Sequence, residues 1–405
     1  MFEAGFVAGC AYARADVLAP VGRAQWDVVE VKGTTKAKDV HVSDLALQRH
    51  VYEGAGLSIR RCSVMHLDPD YVRRGEIEPR KLFAQTDLTN DVDEVVGSVG
   101  SELKKMVRII RQQRSPEVEI GPQCSEPYHC PLRTMCWKAV PKHSVFTLTH
   151  VGPKAFAWFH DGIARLQDLP RDAPVDVKQD IQLRAIRSRR AQVDRDALRE
   201  FLGSLEYPLH FLDFETINPA IPVWDITSPY QQVPFQFSLH IVDRPGGKPV
   251  HHAFLANGTA DPRPEILARL KRHLGQRGSI VAYNASFEKN VLRACGQAYP
   301  AFAPWWTKTE PRVVDLLQPF RSFHYYHPDQ CGSASIKAVL PALTGKGYAG
   351  MEIADGATAS QEFLRITFGK VSAAERRRVR AALEKYCGLD TAGMLRIVRA
   401  LDRLV

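Results

Sequence analysis

No apolar run in this chain of 405 residues approaches the roughly 20 residues that a membrane-spanning helix needs, so no membrane partner is expected. There is no internal repeat and no low-complexity tract, which argues against solenoid and disordered architectures. Met1 to Ala13 is apolar but lacks a basic leading segment and carries Glu3, so a secretion signal is not expected. Cysteine is scarce, at eight residues. In a chain of this size without a secretion signal, that does not suggest a disulfide scaffold. These absences together point to a cytoplasmic protein. What is present is ordinary globular composition, 45% hydrophobic and 24% charged, in a length that suits two or three domains. The one bias is charge: 54 Lys and Arg against 45 Asp and Glu, net +9. A basic excess favours a polyanionic partner, most often nucleic acid. Nothing in the sequence sets an oligomeric state.

Local patterns divide the chain into an α/β unit over 1–140, a helical insert with a basic linker over 141–206, and a second α/β unit over 207–405. In the first unit, Trp26 to Val31 predicts a strand. Ser43 to Gly56 predicts a helix capped by Ser43, and Val92 to Arg114 a long helix ending before Pro116. Thr149-His-Val-Gly-Pro-Lys154 and Asp161-Gly-Ile-Ala-Arg-Leu-Gln-Asp-Leu-Pro170 resemble a helix-hairpin-helix, although a plain helical spacer fits the same residues. Arg171 to Glu200 is expected to be a linker plus a solvated helix. The second unit predicts strands at 209–214, 235–243, 280–283 and 313–317, and helices at 264–273, 286–295, 335–343 and 373–404.

The most informative run is His210-Phe-Leu-Asp213-Phe-Glu215-Thr216. It reads as a buried strand, and because side chains alternate along a strand, Asp213 and Glu215 share one face. Two carboxylates at the end of an apolar strand repel each other unless a cation lies between them, and a divalent metal is the usual solution. Two further segments supply matching groups. Ala282-Tyr-Asn-Ala-Ser-Phe-Glu288 ends a strand and opens a helix with an acid in its first turn. Tyr386-Cys-Gly-Leu-Asp390 puts a tyrosine and an aspartate four residues apart, on one helical face. Acids from a strand, a helix start and a later helix can converge on two divalent ions about 4 Å apart, one activating water and the other stabilising the leaving oxygen. Tyr386 would orient the attacking water.

The order Asp213-x-Glu215, Asn284-x-x-x-Glu288, Tyr386-x-x-x-Asp390 resembles the three motifs of the DEDDy 3′–5′ exonucleases, over residues 207–400. The resemblance implies a ribonuclease H-like mixed sheet, with Asp213, Glu215, Glu288 and Asp390 as ligands for Mg²⁺ or Mn²⁺. One departure stands out: the second motif usually presents aspartate, and this chain has Glu288, with Asp315 as a nearby alternative acid.

A second ordered set lies near the N-terminus: Asp16, then Glu30-Val-Lys32, then Gln48-x-x-x-Tyr52. Glu30 and Lys32 share a strand face, and Gln48 and Tyr52 lie one helical turn apart. Asp16 and Glu30 can hold Mg²⁺, and Lys32 can position water or stabilise charge on a phosphate. The set resembles the RecB-like branch of the PD-(D/E)XK restriction-endonuclease-like nucleases, which carries the Gln-x-x-x-Tyr addition.

Cys124, Cys130 and Cys136 follow one another with five residues between neighbours, and thiolates so placed can wrap one soft metal centre. The spacing is not that of a zinc finger, which puts zinc second. RecB-like nucleases of the helicase–nuclease kind carry a [4Fe–4S] cluster held by one cysteine before the core and three after it. The three-cysteine part matches, while the fourth ligand stays open between Cys10, placed in the first strand region, His129, and an outside group. The chain is expected to be short at its N-terminus relative to that family. As a whole it resembles a bacterial domain-of-unknown-function family that fuses a RecB-like iron–sulfur nuclease domain to a DEDDy-type exonuclease domain. Gly332-Ser-Ala-Ser-Ile-Lys337, where Lys337 is a candidate phosphate contact, shares in that resemblance.

These readings lead to an expected metal-dependent nuclease acting on DNA or RNA, with the C-terminal domain working 3′ to 5′. Two rivals are a nucleic-acid-binding protein with degenerate sites and an endonuclease that acts only through the N-terminal set. Residues alone do not separate DNA from RNA.

Overall fold

The computed structural model describes residues 1–405. They form a mixed α/β protein of two units, Met1–Cys130 with Pro219–Gln231, and Pro131–Asn218 with Gln232–Val405. No helix is long and apolar enough to cross a membrane.

In the first unit, alternation builds the sheet. Ala11, Ala13 and Ala15 face inward while Tyr12 and Arg14 face out. The strands are β1 (Phe2–Ala8), β2 (Ala11–Val21), β3 (Gln25–Val31), β4 (Ser58–Leu67) and β5 (Phe83–Asp87). They lie in chain order, antiparallel except for the parallel pair β3 and β4. That parallel step needs a crossover, and α1 (Asp39–Gly54) supplies it. Small alanines on β2 let α1 sit close, and Leu45, Ala46, Val51 and Tyr52 share their core with Ala13, Ala15 and Leu18. A long helix, α2 (Thr89–Ile110), follows β5 and is tied to α1 by an Arg49–Asp93 ion pair of 2.6 Å. Residues 219–231 belong to this unit: Arg73 donates to the Pro222 and Val223 carbonyls, and Tyr230 donates to the Gly33 carbonyl.

The second unit starts with a small helical core of Val145, Leu148, Ala155, Leu166 and Leu169. Only Lys154–His160 in the region resembling a helix-hairpin-helix is a full α-helix, and the turns on either side use Gly152 and Gly162 at φ of 60° and 84°. The segment expected to be a linker plus a solvated helix holds two helices that pack. Its helix α3 (Val177–Ser188) buries Leu183 and Ile186 against that core, and α4 (Arg195–Gly203) buries Leu198. Arginines on the outer faces hide this apolar stripe from a reading by charge.

The second sheet contains β6 (Leu209–Ile217), β7 (Val233–Val242), β8 (Val250–Leu255), β9 (Ile280–Ala282) and β10 (Val313–Asp315), in the order β10-β9-β6-β7-β8. β6, β7 and β8 form an antiparallel meander, and β9 runs parallel to both β6 and β10. Between them run α5 (Arg263–Leu274) and α6 (Ser286–Ala298). After β10 come α7 (Ile336–Thr344), α8 (Gly356–Phe368) and α9 (Ala373–Asp402). α9 begins at Ser372, whose hydroxyl accepts the Glu375 N–H at 3.1 Å. It packs across β6 and β7 and joins Phe211, Val281 and Leu340 in one core through Met394, Ile397 and Leu401.

Candidate metal centre

β6 is buried at nearly every position, and the face that carries Asp213 and Glu215 is otherwise apolar, with Leu209, Phe211 and Ile217. Asp213 and Glu215 face the same way, opposite Ser238 and Gln236 of β7, and a register shift follows Glu215. β9 delivers the next acid. Asn284, at φ 74°, turns the chain from β9 into α6, whose first turn carries Glu288. Asp315 fixes that turn by accepting the Asn284 and Leu317 N–H groups, both at 2.9 Å. Asp315 is therefore committed to backbone, and Glu288 is the acid presented here. α9 supplies Tyr386, Cys387 and Asp390, all buried.

These groups converge. Ligand atoms of Asp213, Glu215 and Cys387 lie within 4.8 Å of one another. Asp390 and Glu288 act electrostatically on Asp213, and Asp390 on Glu215. Glu215, Glu288 and Asp390 are 6%, 3% and 7% exposed, and Asp213 is half-buried. Glu288 Oε2 has no hydrogen-bond partner although it is buried. Two like charges about 5 Å apart repel by roughly 3 kcal/mol even at an effective dielectric constant of ~20. Burial and mutual repulsion therefore raise the carboxyls. Asp213 goes well above the usual range, first by burial and then by Asp390, Glu215 and Glu288. Glu215 and Glu288 rise to about 8, chiefly by burial, and Asp390 to about 6.

Three buried carboxyls, a half-buried fourth and one orphaned oxygen are a donor set short of cations, and hard oxygen ligands of this kind suit Mg²⁺ or Mn²⁺. Cys387 fits less well as a ligand. Burial pushes its thiol far up, and it donates to Asp213 Oδ2 at 3.6 Å. Several neighbours carried no sequence signal. Tyr348 donates its hydroxyl to Asp390 Oδ1. Asp355 caps α8, and a Cβ at Gly356 would stand 3.7 Å from Glu215 Oε2, so Glu215 abuts the start of α8. These come from the irregular segment before α8, which has no fixed spacing to the motifs.

The N-terminal set also assembles, with different chemistry. Asp16 Oδ2 accepts the Val31 N–H at 2.6 Å. Glu30 accepts from Gln48 at 2.7 Å and pairs with Lys32 at 2.9 Å, and Lys32 reaches Asp44 at 3.0 Å. Tyr52 is fully buried and donates to the Ala4 carbonyl at 3.0 Å. Asp44, Gln48 and Tyr52 form one stripe of α1 at four-residue spacing; Asp44 is the member the motif reading left out. Lys32 is pushed up to about 12, as its bonds to Glu30 and Asp44 outweigh its burial.

The cysteines are graded in exposure: Cys124 is buried, Cys130 half-buried and Cys136 exposed. The Cys130 N–H donates to the Cys124 carbonyl at 3.0 Å. Cys10 lies in the exposed turn between β1 and β2, not within a strand, because Gly9 at φ 60° turns the chain there. It shares a surface hollow with Lys104, Val107, Arg108 and Arg111, at the end of α2 that leads into the cysteine loop.

The fold and site define a mixed α/β protein with a buried cluster of acids. A family model described as a domain of unknown function (DUF2779) matches residues 210–335, a span that holds Asp213, Glu215 and Glu288. No curated protein and no solved structure matches the chain.

Proposed function

We propose that this protein is a divalent-metal-dependent nuclease whose C-terminal acid cluster hydrolyses terminal phosphodiester bonds 3′ to 5′. The observation that carries the reading is the convergence of a half-buried Asp213 with buried Glu215, Glu288 and Asp390 from a strand, a helix start and a later helix, without a basic partner in contact. The antiparallel meander β6–β8 extended by the parallel strands β9 and β10 supports a ribonuclease H-like fold of DEDDy kind. Asp213, Glu215, Glu288 and Asp390 would hold Mg²⁺ or Mn²⁺. Such ions, when bound, supply charge stabilisation to the phosphoryl oxygens and activation of water.

The chain's own residues do the rest. The apolar wall of β6 and α9 excludes bulk water and strengthens every charge interaction inside. Tyr386, fixed on α9 one turn before Asp390, orients the attacking water. Cys387 keeps its proton and holds the Asp213 carboxylate in place.

In the first unit, the parallel β3–β4 step, the crossover helix α1 and the gathered Asp16, Glu30, Lys32 and Gln48 support a RecB-like PD-(D/E)XK centre. For the cysteine loop the proposal is a [4Fe–4S] cluster. A broad visible absorption band in anaerobically purified protein is expected, and a colourless preparation containing zinc would overturn it.

The test of the main reading uses the purified full chain with Mn²⁺ and 3′- or 5′-end-labelled single-stranded DNA and RNA. Stepwise shortening from the 3′ end is expected, and its loss in Asp213→Ala. Equal behaviour of the two proteins on every substrate would overturn the proposal, in favour of a binding protein with degenerate sites if neither cuts and of the N-terminal set if both do.

A further inference from the structure

Lys337 stands over the acid cluster without joining it. It occupies the second position of α7, and its position is built. Gly332, at φ 81°, approaches Thr147 so closely that a Cβ would meet the Thr147 carbonyl at 2.0 Å. The Gly332 N–H donates to the Tyr326 hydroxyl at 3.0 Å, and Tyr283 donates to the Ala334 carbonyl at 2.6 Å. These contacts fix the run from Gly332 to Ala334 and hence the start of α7. The Lys337 side chain then reaches across two rings, with Nζ 5.9 Å from the centre of Tyr348 and 5.6 Å from that of Tyr386. Both distances lie at the outer limit of cation–π attraction. The residue is exposed. Its charge acts on Glu215, Asp390 and Asp355, yet it forms no ion pair with any of them. A flexible ammonium beside buried carboxylates would ordinarily close onto one. Here Nζ lies beside the rings of Tyr348 and Tyr386, exposed to solvent and out of ion-pair reach of the acids.

Resting on the nuclease reading of this site, we propose that Lys337 is a substrate-binding residue. Its ammonium takes a non-bridging phosphate oxygen of a nucleic-acid strand whose end lies at the carboxylates. In the free protein the same charge offsets their repulsion from a distance, in competition with bound cations. This dual position has an unusual consequence. Removing the charge deepens the negative potential at the cluster, so metal binds more tightly, while a phosphate loses its partner, so the strand binds less tightly. A residue that merely supported the fold would lower both together.

The experiment uses the full chain as wild type, Lys337→Met and Lys337→Arg. Free Mn²⁺ is counted by electron paramagnetic resonance. Binding of a labelled single-stranded oligonucleotide is followed by fluorescence anisotropy in Ca²⁺, across a salt series. In Lys337→Met, Mn²⁺ affinity is expected to rise about threefold and oligonucleotide affinity to fall about tenfold, with the salt slope reduced by about one phosphate contact. Lys337→Arg keeps the charge and is expected to hold both values near wild type. Unchanged oligonucleotide affinity and salt slope in Lys337→Met, in a preparation whose wild type binds Mn²⁺ and shortens strands, would overturn the role of Lys337 alone. So would metal and strand affinity falling together. A wild type that binds no Mn²⁺ would overturn the reading of the site itself, and this proposal with it.

Discussion

The two acid sets of this protein use the same residue types and reach opposite electrostatic states. In the N-terminal set each charge has its partner: Asp16 has a backbone N–H, Glu30 has Gln48 and Lys32, and Lys32 has Asp44 as well. These groups sit near the surface, where ion pairs are cheap to form and worth little. In the C-terminal set Glu215, Glu288 and Asp390 are buried beside a half-buried Asp213, and Lys337 lies near two aromatic rings without pairing with any of these acids. Buried charge without compensation is destabilising unless a cation arrives. The lesson is that motif order finds both sets, while partnering decides which one needs a metal to be complete.

The contrast breaks first, and most severely, at the acids themselves. Asp213→Asn is expected to lower 3′ strand shortening by about a thousandfold or more, as expected on losing a ligand of a metal site. Asp16→Asn should leave that shortening within about twofold, because Asp16 belongs to the other set. Timed gel assays on the two variants check both statements. Equal losses would show that the sets are not independent. Next in size is Glu288→Gln, which keeps the shape and removes the charge of the orphaned acid. A fall of about a hundredfold is expected in the same assay, and wild-type activity would show that the first-turn acid of α6 is dispensable.

A pH series sharpens the comparison further. Glu215 and Glu288 stand at about 8 in the metal-free protein, above their ordinary 4.5. A carboxyl raised by folding contributes stability that is full below its ordinary value and is lost as pH rises through its folded value. The melting temperature of the metal-free protein should therefore fall between about pH 5 and pH 8, by something on the order of 5 °C. Mn²⁺ binds the deprotonated carboxylates, so its stabilisation should grow over the same window. Glu288→Gln should flatten part of the fall. A melting temperature independent of pH across that range would contradict the buried-acid account. The smallest effect is expected at Lys32→Met, which strips Glu30 and Asp44 of their partner. Both are partly exposed, so a loss of only about 1 kcal/mol is expected in chemical unfolding. A loss several times larger would mean that the N-terminal set is as strained as the other.

Much of this was legible in the residues because the carriers are periodic. β6 reads as an apolar run with acids two apart, and the expected strand 209–214 is the first part of Leu209–Ile217. The expected helices 264–273 and 373–404 differ from Arg263–Leu274 and Ala373–Asp402 only at their ends. The first sheet was harder to see. β2 is built on alanines rather than β-branched residues, and the exposed ends of β1 blur its alternation. α8 was missed because Gly356, Thr358 and Ser360 dilute its apolar stripe. Arginines on α3 made a packed helix look solvated. Tyr348 and Asp355 could not be read at all, since only the tertiary fold brings their segment against Asp390 and Glu215. The assignment of 219–231 to the first unit is likewise non-local: it rests on Arg73 and Gly33, far away in sequence.

The claim that the C-terminal carboxyls form a metal centre is tested most directly by titrating Mn²⁺ into the full chain and into Asp213→Asn, with free ion counted by electron paramagnetic resonance. The account predicts saturable binding in the wild type with a class of sites that is tighter at pH 8 than at pH 6, and the loss of that class in Asp213→Asn while Asp16→Asn retains it. Indistinguishable isotherms for wild type and Asp213→Asn would contradict it.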